Sequence, residues 1–193
     1  MTLSIAVVYG SVRPDRLGIR AARWLVSTIE ARGHAATLVD PIEHPFPLLE
    51  KRFAYYAEGE APGGMAEVAE TFRKADAILI VSGEYNHGIP PALKNLMDHF
   101  LEEFFWRPAG IACYSAGRYG GVRAAMQLRM TLPEQGMVSI PSLLPIPEIG
   151  KLFDEAGVLK DGEWLVRAAG KFLDELEWYA RAMKAGREGG TPY

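Results

Sequence analysis

The chain has 193 residues, with 21 lysines and arginines against 24 aspartates and glutamates, a formal charge of −3. That balance excludes binding to nucleic acid by general phosphate neutralisation, and 49% apolar with 23% charged residues excludes a mainly disordered chain. One cysteine, Cys113, excludes an intramolecular disulfide or a cysteine-built zinc or iron–sulfur site, and no apolar run nears the ~20 residues that cross a bilayer.

The opening residues, MTLSIAVVYGS, run into an apolar segment with no basic stretch before it, which predicts a cytoplasmic chain without a signal peptide. Residues 3–9 form a short β-branched run of the kind buried on both faces of a parallel sheet. A helical stripe follows at Ala22, Leu25, Val26 and Ile29, and Gly33 stands where a helix ends. Residues 36–39 predict a second strand. Residues 40–64 are rich in proline and glycine, have no period and match no motif. Such a long irregular stretch points to function or an interface.

A short helix is predicted over Met65–Lys74 and a third strand over 77–81. After Pro90-Pro91 comes a helix with Leu93, Leu96, Met97, Phe100 and Leu101 on its apolar face. A fourth strand spans 109–114, another helix runs to about Leu132, and a short fifth strand spans Met137–Ile140. The Pro/Gly-rich stretch 141–162 predicts irregular structure, and the last helix runs from about Glu163 to Ala185. The expected domain is 1–185, with 186–193 a loose tail. Alternating strands and helices predict a doubly wound α/β sheet of five parallel strands, in the flavodoxin-like order 2-1-3-4-5. Ligands of such sheets sit at the carboxyl ends of the strands.

Three polar, glycine-marked loops leave those ends. In the first, Gly10 to Gly18, the helix start, the Ser11 hydroxyl and the Arg13 and Arg16 guanidiniums suit a terminal phosphate. The competing reading is a solvated arginine face, because positions 13, 16, 20 and 23 share helical spacing; Arg20 and Arg23 fit that face better. The loop lacks both the phosphate-loop lysine pattern and the Gly-x-Gly-x-x-Gly turn.

In the second loop, Ser82 to Pro90, Tyr85 offers a stacking face and Asn86 an amide suited to the edge of a planar heterocycle. Glu84 and His87 read as ordinary loop residues in preference to an acid–base pair. Four scattered histidines lack metal-ligand spacing. In the third, Ser115 to Gly121, three glycines let backbone approach a flat ligand. There Tyr119 either covers a ring or packs on the surface, and Arg118 meets either solvent or a phosphorylated second substrate. Cys113, inside the fourth strand, reads as a small buried hydrophobe.

The segments GSVRPDRLG, EYNHGIPPALKNLMDHF and SAGRYGGVRA resemble, in order and spacing, the NADPH-dependent FMN reductase family and its flavodoxin-like quinone and azo-dye reductases. The resemblance covers nearly the whole chain, with one departure: Gly83 stands where the family usually has proline. It implies FMN as cofactor and NAD(P)H as co-substrate. A quinone, azo compound, free flavin or metal oxyanion would be the small-molecule acceptor. It places Ser11, Arg13, Gly18 and also Arg16 around the FMN phosphate, and Glu84, Tyr85 and Asn86 along the isoalloxazine and ribityl. Ser115, Ala116 and Gly117 would border the ring. No catalytic side chain and no metal are required.

The family's members assemble as homodimers or homotetramers. Phe100, Phe104, Phe105 and Trp106 accordingly form a candidate interface near the flavin, unless they pack inside the monomer. Two rival readings share the fold: a flavodoxin-type electron carrier, and a non-catalytic flavin or redox-sensing module.

Overall fold

The computed structural model describes residues 1–160 and 162–193. Five parallel strands are β1 (Ser4–Tyr9), β2 (Ala35–Val39), β3 (Ala77–Ser82), β4 (Pro108–Tyr114) and β5 (Val138–Ile146), ordered β2-β1-β3-β4-β5. The helices are α1 (Gly18–Ala31), α2 (Met65–Lys74), α3 (Pro91–Asp98), α4 (Val122–Glu134), the single turn α5 (Ile149–Leu152) and α6 (Glu163–Glu188). The expected strand order is therefore the one observed.

Strand alternation divides the core into two layers. Ile5, Val7, Leu79 and Val81 point to one face of the sheet, where α1 and α6 cover them. Ala6, Val8, Ile78, Ile80, Ile111 and Cys113 point to the other, beneath α2, α3 and α4. β1 and β3 are buried on both faces in register Val7↔Leu79 and Val8↔Ile80, which explains why their sequences are unbroken apolar runs.

Four features differ from the sequence reading. β5 continues to Ile146 through Pro141 and Pro145. Only β4 flanks it, and proline is tolerated on an edge strand because one side needs no ladder donor. Stretch 141–162 consequently holds α5 and the last six residues of β5, while Asp161 lies outside the described residues. α6 runs three residues past Ala185, and the tail folds back: the Tyr193 ring lies 4.7 Å from that of Trp106, tilted by 53°, and the Trp106 indole N–H donates to the Tyr193 carbonyl at 3.3 Å.

The aromatic cluster is also placed otherwise than expected. α3 descends from the carboxyl end of β3, so residues 100–106 lie near the amino ends of the strands, away from the loops after β1, β3 and β4. Arg107 marks the level, its Nε donating at 2.8 Å to the carbonyl of Ala75, just before β3. Phe100 and Phe104 are fully buried in the monomer, with ring centroids 5.1 and 4.6 Å from Phe72, and so form core and not interface.

This end of the sheet is tied by charge. Asp76 accepts from the Ser4 N–H and the Lys184 ammonium, both at 3.0 Å, and from Arg187 at 3.2 Å. Burial, then the Arg187 charge, lowers the Arg107 guanidinium to about 10. Trp106 adopts φ 61°, a left-handed conformation costly for a bulky residue. Its N–H donates to Gly136 at 3.0 Å and its carbonyl accepts from Arg187 at 2.7 Å, which holds it there.

Candidate functional site

At the carboxyl ends of β1, β3 and β4 lies a cleft of about 260 Å³. Ser11, Arg13, Leu17, Glu84, Tyr85 and Ala116 are among its walls, and Tyr114 closes its floor. The three loops singled out in the sequence therefore converge on one place.

The floor explains two glycines. Tyr114 ends β4 and its hydroxyl donates to Tyr9 at 3.1 Å; burial pushes both phenols above their ordinary range, so both stay protonated. A Cβ on Gly18 would come within 2.0 Å of the Tyr114 ring, an overlap no side-chain adjustment at position 18 removes. Gly18 thus starts α1 against the floor, buried, and is not among the residues lining the cleft. Gly83 lies on the other side of the same ring, with 3.2 Å available to a Cβ.

The first loop supplies the charge. Ser11 is buried, and its hydroxyl shares a 2.7 Å hydrogen bond with the Tyr85 hydroxyl, joining the loops after β1 and β3. Arg13 is exposed at the mouth, its guanidinium 6.0 Å from the Tyr85 ring centroid, and forms no ion pair among the described residues. Arg16 is spent differently. It pairs with buried Asp40 at the end of β2, donates to the Ser11 carbonyl at 3.2 Å, and lies 5.4 Å over the Tyr9 ring. Arg16 therefore props the loop from behind, although part of it reaches the cleft. No side chain caps α1, but the Ile19 and Arg20 N–H groups already donate to the Arg16 and Leu17 carbonyls at 3.2 and 3.1 Å, so the helix start beside Arg13 offers an anion chiefly its dipole.

The second loop is a tight turn. Tyr85 and Gly88 exchange backbone hydrogen bonds of 3.1 and 2.9 Å, with Asn86 at φ 50° and His87 at φ 67° between them. Two successive positive φ angles are the type I′ pattern, which favours asparagine at the first central place. Asn86 is accordingly exposed at the turn tip and does not line the cleft. Gln127 of α4 clasps the turn, donating to the His87 carbonyl at 3.2 Å and accepting from the Ile89 N–H at 3.2 Å.

Glu84 faces α4. Its carboxylate accepts the N–H groups of Arg123 at 2.9 Å and Ala124 at 3.3 Å, and pairs with the Arg123 guanidinium at 3.2 Å. Desolvation acts to raise this carboxyl, but those bonds and the nearby charge outweigh it, and it is held below the ordinary carboxylate range. Glu84 caps α4 as an anion and is no proton donor at neutral pH. Of the third loop, Ser115 and Ala116 line the cleft, whereas Gly117 is exposed outside it. Cys113 is buried and desolvation pushes its thiol up to about 12.

Sequence reasoning did not find Tyr114, Asp40, the Glu84 clamp or Ile149 of α5, which also lines the cleft. Tyr114 reads as one more apolar strand residue. The others depend on contacts between positions tens of residues apart.

The donor set suits a phosphate monoester carrying a flat ring: serine and tyrosine hydroxyls, an uncommitted arginine and a helix start at one end, aromatic and backbone surface at the other. A larger hollow of about 490 Å³ beside Trp106 and Trp178 is mostly apolar and lies at the opposite end of the sheet. Among the described residues no three His, Cys, Asp or Glu side chains gather as a metal would need.

The strand order and the placement of the cleft at the carboxyl ends of the strands define a flavodoxin-like protein. Residues 3–150 match the family described as NADPH-dependent FMN reductase. A quinone reductase of Pseudomonas putida is 29% identical over 168 residues, covering 82% of this chain and 85% of its own. A 2-hydroxy-1,4-benzoquinone reductase of a Burkholderia species is 28% identical over 182 residues, 90% and 91% of the two chains. Among solved structures, FerB, a flavoenzyme NAD(P)H:(acceptor) oxidoreductase of Paracoccus denitrificans, superposes with a TM-score of 0.74 at 21% identity, covering 93% of this chain and 98% of its own. The chain belongs to the NADPH-dependent FMN reductase family, and it is an FMN-dependent NAD(P)H oxidoreductase.

Proposed function

We propose that this reductase passes electrons from NAD(P)H to small quinones in the cytoplasm, as a homo-oligomer, with FMN held by Ser11, Arg13, Tyr85, Glu84, Ser115 and Ala116. FMN, when bound there, would supply the hydride-transfer chemistry between NAD(P)H and the acceptor. The residues of this chain bind, orient and exclude water.

Arg13 and the α1 start take the phosphate. Ser11 and Tyr85, already bonded to each other, bring the two loops to one distance from it. Arg16 and Asp40 keep the first loop in place. Tyr114, neutral and buried, gives the cleft an apolar floor that adds no charge beneath the ring. Asn86, Gly18 and Gly117 serve as turn tip, helix start and exposed loop residue outside the cleft lining. No side chain acts as acid or base, since the Glu84 carboxylate is consumed as the α4 cap. The quinone-reductase names of the P. putida and Burkholderia relatives support the choice of acceptor.

The observation that carries the phosphate assignment is Arg13, a guanidinium at a helix start with no carboxylate partner among the described residues. A charge-assisted bond of this kind is worth roughly 1.5–3 kcal/mol. Arg13→Ala is expected to weaken FMN about 10- to 100-fold and to leave riboflavin, which lacks the phosphate, nearly unchanged. Fluorescence titration of both proteins with both flavins checks this. Equal weakening of the two ligands, or none, removes Arg13 from the phosphate site.

A further inference from the structure

Arg118 and Tyr119 sit on the β4–α4 loop, beyond the cleft wall formed by Glu84, and the flavin site as proposed does not use them. The Arg118 guanidinium lies 5.0 Å over the Tyr119 ring and donates to the Tyr119 hydroxyl at 3.0 Å. From α4 the Arg123 guanidinium reaches the same ring at 4.6 Å. Arg123 is neutralised by Glu84, whereas Arg118 has no carboxylate partner among the described residues. The rim therefore carries one uncompensated positive charge, held by a half-exposed aromatic ring.

The loop is fixed before any ligand arrives. The Glu148 N–H donates to the Gly117 carbonyl at 3.0 Å and the Ile149 N–H to the Ser115 carbonyl at 3.1 Å. Gly120 and Gly121 have positive φ, and a Cβ at Gly121 would meet the Tyr114 carbonyl at 2.7 Å, so the loop rests on the cleft floor itself. Around Gly117 the space is open, with no atom within 4 Å of where a Cβ would stand.

Two guanidiniums in separate loops thus stand without an ion pair among the described residues, Arg13 in the cleft lining after β1 and Arg118 on the rim after β4. One phosphate on FMN accounts for the first. A dinucleotide whose nicotinamide enters the cleft must lay its adenosine part across the rim. NADPH carries there a 2′-phosphate dianion, and NADH a neutral hydroxyl. We propose that Arg118, oriented by Tyr119, binds the 2′-phosphate of NADPH and makes this enzyme prefer NADPH to NADH. The proposal rests on the reading of the cleft as the FMN site.

Calorimetric titration in a phosphate-free buffer tests it, with FMN-loaded protein and two probes, adenosine 2′,5′-bisphosphate and 5′-AMP. Wild type is expected to bind the bisphosphate about tenfold more tightly than 5′-AMP. Arg118→Ala should abolish that difference, and Tyr119→Phe, which removes only the orienting hydroxyl, should reduce it. In steady state the NADPH:NADH ratio of kcat/KM should fall about tenfold in Arg118→Ala, through KM, with FMN affinity unchanged. A bisphosphate bound no better than 5′-AMP by wild type, or equally well after Arg118→Ala, overturns the proposal. Failure of the wild type to bind FMN would count instead against the cleft reading, while the same titration on flavin-free protein still judges Arg118.

Discussion

The two ends of the sheet are built on opposite plans. At the amino ends of the strands, Asp76 collects three donors, Arg107 donates to backbone carbonyls, and Phe72, Phe100 and Phe104 close into a core cluster. Donors there are spent within the chain, Lys184 and Arg187 on Asp76 and Arg107 on backbone carbonyls, and even a strained Trp106 is held by partners on both its N–H and its carbonyl. At the carboxyl ends, Arg13 and Arg118 carry no ion pair among the described residues, and the turn after β3 exposes Asn86. A sheet whose strands all run one way presents all its loops of one kind at one edge. The difference shows how one edge can be closed for stability while the other keeps unspent charge for a ligand.

That contrast can be broken most sharply at Phe104. Phe104→Ala opens a cavity in the closed end and is expected to cost about 3–5 kcal/mol of stability. In protein that remains folded, FMN affinity should be unchanged, because the cleft lies at the other edge. Urea unfolding paired with FMN titration decides it, and a flavin defect in folded mutant protein would show that the ends are coupled. Cys113→Ser probes the layer beneath the cleft. It buries a hydroxyl in an apolar layer, at about 1–3 kcal/mol, without loss of turnover. Because the thiol is raised to about 12, native protein should resist alkylation at pH 8 and react only as it unfolds, which mass spectrometry can follow.

The smallest effect concerns Glu84. Its carboxyl is depressed in the folded state, so the unfolded chain binds the proton more readily. The stability it adds is present above the ordinary carboxylate range and is lost as pH falls through the folded value. Glu84→Gln should therefore lower stability by about 1 kcal/mol at pH 7 and flatten the decline of stability toward acid. Unfolding curves at several pH values check this, and an unchanged acid limb would mean that the carboxylate does not cap α4.

Strand order was legible because β1 and β3 are apolar runs that only a doubly covered sheet explains, and the loops after β1, β3 and β4 stood out by their glycines. β5 was cut short at Ile140 because Pro141 reads as a breaker, and only the position of the strand at the sheet edge makes it harmless. Phe100 and Phe104 lie past the end of α3, where no helical period marks a buried face, and their density beside Phe105 and Trp106 suggested a surface cluster. Ser11 and Arg13 were found through residue type and place in the loop. The partners of Arg16 and Glu84 were not, since Asp40 and Arg123 approach them only after the chain has wound round the sheet.

The Glu84 clamp also gives the cleft a built-in reporter. Amide hydrogens in the first turn of a helix ordinarily trade with deuterium almost as fast as in an open chain, having no acceptor behind them. In α4 those of Arg123 and Ala124 end on a carboxylate from another loop. Their exchange then requires the segment after β3 to lift away from the helix. Two ordinarily fast amides become slow ones, and their rate measures how often the wall of the cleft opens.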